Sequence, residues 1–336
     1  GAAAAAAALR GVLGRLEEAK EGLWSATLLA SSGTYLATRD LISALLATDV
    51  LAQLLVFLDI FEFEARKDAM HVFAAVLQLG APVGLKADIV RHLEERPWIA
   101  AMLLEGCCKP DISLHCGHML RACSLYPELV KFLLEERTAL KLIELAQHRS
   151  FDISSDAFAS LRELTLVQKE VAAAYLSANF SEFFEAFNSL LLHEEYVTRR
   201  FALQLLGDIV EDPCFAMALC SYVSNEHFLK LHMNLLRDTS APIQLGAFRV
   251  LKAFLAQPAM PLRVHQILAR NREQLARFFE SFSAMADRCI RDDDIPIVED
   301  LRSAMQMLEA LPRPISRGLR RCIVEAQVRD ALAAVQ

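Results

Sequence analysis

One apolar stripe recurs along this chain at a nearly fixed interval, and that recurrence confines it to a stack of helices. Ala69, Val72, Phe73 and Val76 stand at i, i+3, i+4 and i+7. Cys116, Met119, Leu120 and Cys123 repeat the pattern, as do Ala202, Leu205, Leu206 and Ile209, and then Ala247, Val250, Leu251 and Phe254. Ala157, Leu161 and Leu164 fit the same frame, with Ser160 in place of an apolar residue. The anchors Ala69, Cys116, Ala157, Ala202 and Ala247 are 47, 41, 45 and 45 residues apart, and a looser sixth copy (Leu301, Ala304, Met305, Leu308) follows after 54. Each copy is one face of an amphipathic helix. A period of about 40 to 47 residues is that of two- or three-helix HEAT or armadillo units, none of which buries its apolar face without a neighbour. The stripe therefore predicts an all-α, armadillo/HEAT-like helical-repeat solenoid, a curved rod of the kind that binds other proteins.

Composition agrees. Apolar residues make up 54% of the 336, mostly Leu and Ala, while Gly and Pro number only 12 and 11. Strong helix formers dominate and alternating β-branched runs are almost absent. The formal net charge is −7, and such a surface repels phosphate backbones, so no nucleic-acid partner is expected. The basic exception, Arg313, Arg317, Arg320 and Arg321, reads as a solvated helix face. Leu41 to Leu58 is long and apolar but carries Thr48 and Asp49 and runs into Asp59, so it reads as a buried solenoid helix rather than a membrane span. The opening Gly1 to Ala8 lacks the basic start and cleavage site of a signal peptide. The eight cysteines (Cys107, Cys108, Cys116, Cys123, Cys214, Cys220, Cys289, Cys322) form no short secreted framework, and several fall on apolar helical faces. A reducing, cytoplasmic setting follows from that usage.

We expect one helical-repeat domain over 1–336, with a divergent N-terminal cap (1–60), regular repeats (60–284) and a divergent C-terminal cap (285–336). Lys109-Pro110-Asp111 precedes the second copy; Ser150 and Asp152 offer N-cap oxygens before the third. Ser240 with Pro242, and Asp294 with Pro296, suit the starts of the fifth and sixth. Leu129 to Ala146 and Phe228 to Arg237 read as second helices, and Asp287 to Asp294 as a charged loop.

Constellations that would carry chemistry are weak. Cys107, Cys108, His115, Cys116, His118 and Cys123 crowd together, but Cys116 and Cys123 sit two turns apart and the histidines point to another side, unlike the close pairs zinc prefers. Asp292-Asp293-Asp294 lacks the central Gly of an EF-hand loop. No metal and no cofactor is expected. The sequence holds no phosphate-cradling Gly-rich loop, no Gly-x-Ser-x-Gly elbow and no His-Arg-Asp or Asp-Phe-Gly signature, so an enzyme is not expected either. Glu194 to Arg200 is different. It opens a helix with two acids in its first turn, then places Tyr196 and Arg200 one turn apart on a single face outside the stripe. An aromatic beside a guanidinium is hot-spot chemistry. The bland alternative is an Arg snorkelling over a partly buried Tyr.

Longer stretches point further. Phe151-Asp152-Ile153-Ser154-Ser155-Asp156-Ala157-Phe158, Tyr196-Val197-Thr198-Arg199-Arg200, Leu205-Leu206-Gly207, Asn234-Leu235-Leu236-Arg237-Asp238, and Ile243-Gln244 with Ala247-Phe248 resemble signatures of the calcium-binding-protein-thirty-nine family, also called mouse-protein-twenty-five scaffolds. Glu62-Phe63-Glu64, Lys67-Asp68, Cys116-Gly117 and Met119-Leu120-Arg121 extend the match. It runs from about 105 to 284 and more weakly from about 60.

The resemblance implies a curved helical scaffold without catalytic activity. Such scaffolds bind a catalytically inert pseudokinase and help it activate a tumour-suppressor kinase. They also activate sterile-twenty-type, germinal-centre kinases, and in fungi act in polarity and cell-separation networks. Two surfaces carry over by resemblance. The family's concave, kinase-binding face matches Phe151, Tyr196 and Arg200. Its pocket for a Trp-Glu-Phe-type partner tail matches Lys230, Met233 and, as a basic residue, Arg270. Met would line an adaptable apolar socket, with Lys or Arg pairing with the Glu. Pro213 stands where the family usually has Arg, and Ala216 where it has Phe, with Phe215 adjacent. The alternative function is a passive adaptor that binds a short hydrophobic and acidic tail without activating a kinase. Importin-like grooves use Trp and Asn ladders, whereas only Trp24 and Trp98 occur here, outside the regular copies.

Overall fold

Alternating helix starts and breaks divide the chain into helices that group in threes. The computed structural model describes residues 32–289 and 295–311, together with 7, 8, 10, 11, 13 and 14, and places side chains over 35–282 and 299–311 of the longer stretches. The first triplet is α1 (Ser32–Ala47), α2 (Val50–Val56) and α3 (Phe63–Gly80). Next come α4 (Lys86–Glu94), α5 (Trp98–Cys107) and α6 (Ser113–Ala122), then α7 (Pro127–Glu135), α8 (Thr138–Leu145) and α9 (Phe151–Leu166). They are followed by α10 (Lys169–Ala178), α11 (Phe180–Leu191) and α12 (Tyr196–Glu211). The last two triplets are α13 (Ala216–Val223), α14 (Glu226–Leu235), α15 (Ala241–Ala256), and α16 (Leu262–Arg270), α17 (Arg272–Cys289), α18 (Ile295–Ala310). The architecture is an all-α, armadillo-like repeat stack.

The chain divides into two compact units, Gly1–Ala218 and Leu219–Gln336. In the first, the third helices pack as a ladder, α3 on α6 on α9 on α12. The second helices do the same, α2 on α5 on α8 on α11. The first helices form a third row, α4 on α7 on α10 on the short 3-10 turn Pro213–Phe215. In the second unit α15 packs on α14 and on α18. Within each unit, neighbouring triplets thus bury their stripes against one another, as repeats that cannot fold alone must.

Every stripe residue is buried except Met305, which is half-buried. Ser160, the odd member, is buried as well, and its hydroxyl accepts a hydrogen bond from Arg121 Nη1 at 2.9 Å. The same guanidinium nitrogen donates to Asp156 Oδ1 at 2.8 Å. Gly117 makes room for that pair: a Cβ there would collide with the Asp156 carboxylate.

Several boundaries differ from the sequence reading. Leu41 to Leu58 is two helices, because Asp49 adopts the left-handed conformation at φ 55°. Its carboxylate forms an ion pair with Arg96 at 2.9 Å. Leu129 to Ala146 is likewise two helices, broken at Arg137 (φ 61°), whose guanidinium pairs with Glu182 on α11. Ser150 occupies the N-cap position of α9, but its side chain makes no capping bond; its backbone N–H donates to His148 Nδ1 at 3.0 Å. Asp287 to Cys289, expected in a loop, belong to α17 instead. Asp292, Asp293, Asp294, the basic residues Arg313 to Arg321, Trp24, and the side chains of Cys289 and Cys322 lie outside the described residues. Among the described residues no helix is long and apolar enough to cross a membrane.

Candidate protein-docking face

The third helices place their outward residues by register. Phe63, Phe151 and Tyr196 each open their helix, six residues ahead of the buried anchors Ala69, Ala157 and Ala202. Six residues is about 600° of helix rotation, some 120° short of two full turns, which turns these side chains away from the core. Phe63 is 65% exposed, Phe151 61% and Tyr196 37%. Arg200 follows Tyr196 by one turn and is also exposed. Arg200 forms no ion pair or hydrogen bond among the described residues. Its neighbour Arg199 behaves differently: Nη1 donates to the carbonyls of His193 at 2.9 Å and Glu194 at 3.0 Å. One arginine thus fixes the helix entry while the other stays available. Glu194 and Glu195 fall before the first turn, with Glu195 at the N-cap of α12, because the Glu195 N–H donates to His193 Nδ1 and holds the chain extended there.

Between α9 and α12 runs an apolar groove of about 200 Å³. Phe158 and Phe201 face it edge to face, their centroids 5.5 Å apart. Arg162 lines it too and pairs with Asp208 across the two helices. Exposed aromatics, an unpaired guanidinium and an adjoining apolar groove offer contact area and one charge, the ingredients of a hot spot. Phe151, Tyr196 and Arg200, singled out in the sequence, are exposed on this side, and so is Phe63, which the sequence reading did not single out although it opens its helix at the same offset as Phe151 and Tyr196. The sequence reading also missed the Phe158–Phe201 groove.

The second residue set lies in the other unit. Lys230 and Met233 stand on α14, and Arg270 ends α16, which packs on α14. Lys230 is exposed and pairs with Glu226 at 3.4 Å. Met233 is half-buried, and Arg270 is exposed and makes no ion pair among the described residues. On the same helix His232 is fully buried, its Nε2 2.9 Å from Tyr222 Oη, and burial pushes its pKa down to about 3. Pro213 and Ala216 are exposed, whereas Phe215 is fully buried and so does not replace the missing surface aromatic.

The cysteine and histidine cluster resolves into core and surface. Cys107, Cys116 and Cys123 are buried, and burial drives their thiols up, those of Cys116 and Cys123 to about 12. Such thiols are inert small hydrophobes. His115 packs against Phe63 and His118 against His71, with ring centroids 6.1 and 6.4 Å apart. Burial lowers the pKa of both His115 and His118, so both stay neutral near pH 7.

The Mo25-like family model matches residues 16–304. The chain belongs to this family. It is 33% identical to the degreening-related gene dee76 protein of Auxenochlorella protothecoides over 75% of this chain and 78% of that one. It is 36% identical to the calcium-binding protein 39-like protein of Mus musculus, over 73% of this chain and 72% of the relative. A computationally designed armadillo repeat protein for modular peptide recognition matches with TM-score 0.47 and 12% identity, over 76% of this chain and 99% of that one. The Mo25-like family is one of scaffold proteins, typically non-catalytic, that work through protein–protein interaction.

Proposed function

We propose that this Mo25-like chain is a non-catalytic cytoplasmic scaffold. It binds and allosterically activates a sterile-twenty-type kinase or a pseudokinase–kinase complex in polarity, morphogenesis or cell-division signalling. One observation carries this reading most: an exposed guanidinium, Arg200, without an ion pair or hydrogen bond among the described residues, beside the exposed Tyr196 on a helix that packs on the one opened by the exposed Phe151. On an acidic chain, a free cation among aromatics suits a carboxylate flanked by apolar side chains on the partner. Activation is a population shift: the face binds the kinase conformation with its C-helix docked and its Lys–Glu pair formed. A coupling of about 1–3 kcal/mol gives roughly 5- to 150-fold stimulation. Lys230, Met233 and Arg270 would hold a Trp-Glu-Phe-type tail, Met233 filling the socket and a cation meeting the Glu.

Kinase stimulation by the wild type and by Arg200→Ala tests this reading. Stimulation falls by about ten-fold or more in the variant; equal stimulation by both removes Arg200 from the role. Titration of a Trp-Glu-Phe-ended peptide against Met233→Ala tests the second surface, and undiminished binding there would sink it.

A further inference from the structure

The first-helix row carries a second surface of opposite chemistry. On α10, Ala172, Ala173 and Leu176 are buried, and the outward side presents Glu170, Ala174 and Ala178. The preceding helix of the same row, α7, presents Glu128, Lys131 and Glu135 outward. Long charged side chains lie along apolar surface and cover it, and alanine does not. The flanks of α10 are therefore open. On one side is a groove of about 500 Å³ between α7 and α10, lined by Leu134, Val171, Ala174 and Tyr175. On the other is a groove of about 640 Å³ lined by Ala173, Ala174, Ser177 and Met217, the last 75% exposed.

Glu170 borders both grooves and forms no ion pair or hydrogen bond among the described residues. The other charges at the first groove, Lys131 and Glu135, are occupied with each other at 3.8 Å. Among the described residues the Tyr175 hydroxyl makes no hydrogen bond, and Asn179 uses one amide N–H on the Tyr175 carbonyl. Glu170 is thus the carboxylate at these grooves without an ionic partner among the described residues, set between two apolar grooves.

We propose that this face docks a linear segment of a partner protein that carries one Arg or Lys between two apolar side chains. The cation pairs with Glu170, and the apolar neighbours fill the grooves on either side of Ala174. The demand is opposite to that of Arg200, which calls for a carboxylate, so the two faces select different partner chemistry.

The test uses the full chain and two short fluorescein-labelled synthetic peptides, one with a Leu-Arg-Leu core and one with Leu-Glu-Leu, read by fluorescence anisotropy. The Arg peptide binds the wild type about ten-fold tighter than the Glu peptide, and Glu170→Gln abolishes that preference. Ala174→Gln, which keeps helix propensity but fills the grooves, weakens the Arg peptide by a similar factor. Unchanged helical circular dichroism and melting confirm that both variants fold. Equal affinity for the two peptides, or a preference that survives Glu170→Gln, overturns the proposal. So does a wild-type dimer in sedimentation that Ala174→Gln disperses, because a second copy would then own the face.

Discussion

The inward and outward sides of α3, α6, α9 and α12 follow different rules. Inward, every copy repeats one pattern: a small anchor (Ala69, Cys116, Ala157 or Ala202) followed by large apolar residues, with Ser160 the one polar member, all buried. Outward, the same helices present Phe63, Leu114, Phe151 and then Tyr196 with Arg200, all exposed and not repeating one chemistry as the inward side does. Packing against identical neighbours fixes the first side, since an interior at crystal-like density tolerates little change. The stack constrains the second far less, with Phe63 touching its rim at His115, so that side is free to hold recognition chemistry. Changes inward should cost stability, and changes outward should cost binding with the fold intact.

Phe73→Ala applies the largest load to this division. Phe73 is fully buried on α3, and its truncation removes apolar contact and leaves a cavity. A loss of about 3–5 kcal/mol is expected in urea unfolding. A loss below about 1 kcal/mol would mean that the ladder is not a shared core. Gly117→Ala comes next. The added methyl meets the Asp156 carboxylate, displacing it from Arg121. Burial already pushes the Asp156 carboxyl up, more than Arg121 draws it down, so the pair has little to spare. We expect a cost of about 2–4 kcal/mol. The double variant Gly117→Ala/Asp156→Ala should lose less than the two single costs together, since both singles count the loss of the Arg121–Asp156 pair and the double has no carboxylate to clash with.

The inward rule in the second unit has a pH signature. Buried His232 is held neutral, with a folded pKa of about 3 against 6.5 unfolded. Between those values the unfolded chain binds the proton and the native one does not, so acid favours unfolding. Stability should be intact above pH 6.5 and decline by about 1.4 kcal/mol per pH unit below it. The other histidines with lowered pKa, His92, His115 and His118, add slope of the same sign. Thermal melts of the wild type and His232→Gln from pH 7 to pH 4.5 isolate the His232 share. The variant should show the shallower acid decline, and parallel curves would refute the assignment.

The repeat frame was legible because the stripe depends only on local periodicity, and each anchor proved buried. Helix breaks were less so. Asp49 and Arg137 end helices without a Gly or Pro to mark them, in the middle of Leu-rich sequence. Both carry ion pairs to residues about 45 positions away, Asp49 to Arg96 and Arg137 to Glu182, and such partners leave no trace in a local pattern. The triplet organisation was hidden for that reason. Ser160 looked like a lapse in the stripe until its partner Arg121 on the neighbouring helix explained it. On the docking face, the exposure of Phe151, Tyr196 and Arg200 followed from their offset to the stripe. The groove floored by Phe158 and Phe201 did not, because it depends on how α9 and α12 are rotated against each other.

The smallest expected effect is the sharpest test of the division. Arg121 on α6 and Arg200 on α12 stand two rungs apart on one ladder and differ in what they touch: Arg121 holds Asp156 and Ser160, and Arg200 holds nothing among the described residues. Arg200→Ala should therefore change unfolding free energy by no more than about 0.5 kcal/mol, because an exposed, unpaired side chain contributes little to the native state. Arg121→Ala leaves a largely buried carboxylate without its cation and should cost about 3–5 kcal/mol. If urea titrations gave the two variants equal losses, Arg200 would have a structural partner and its availability for docking would fail. If the losses separate as expected while kinase stimulation falls with Arg200→Ala, the outward side recognises partners without holding up the stack.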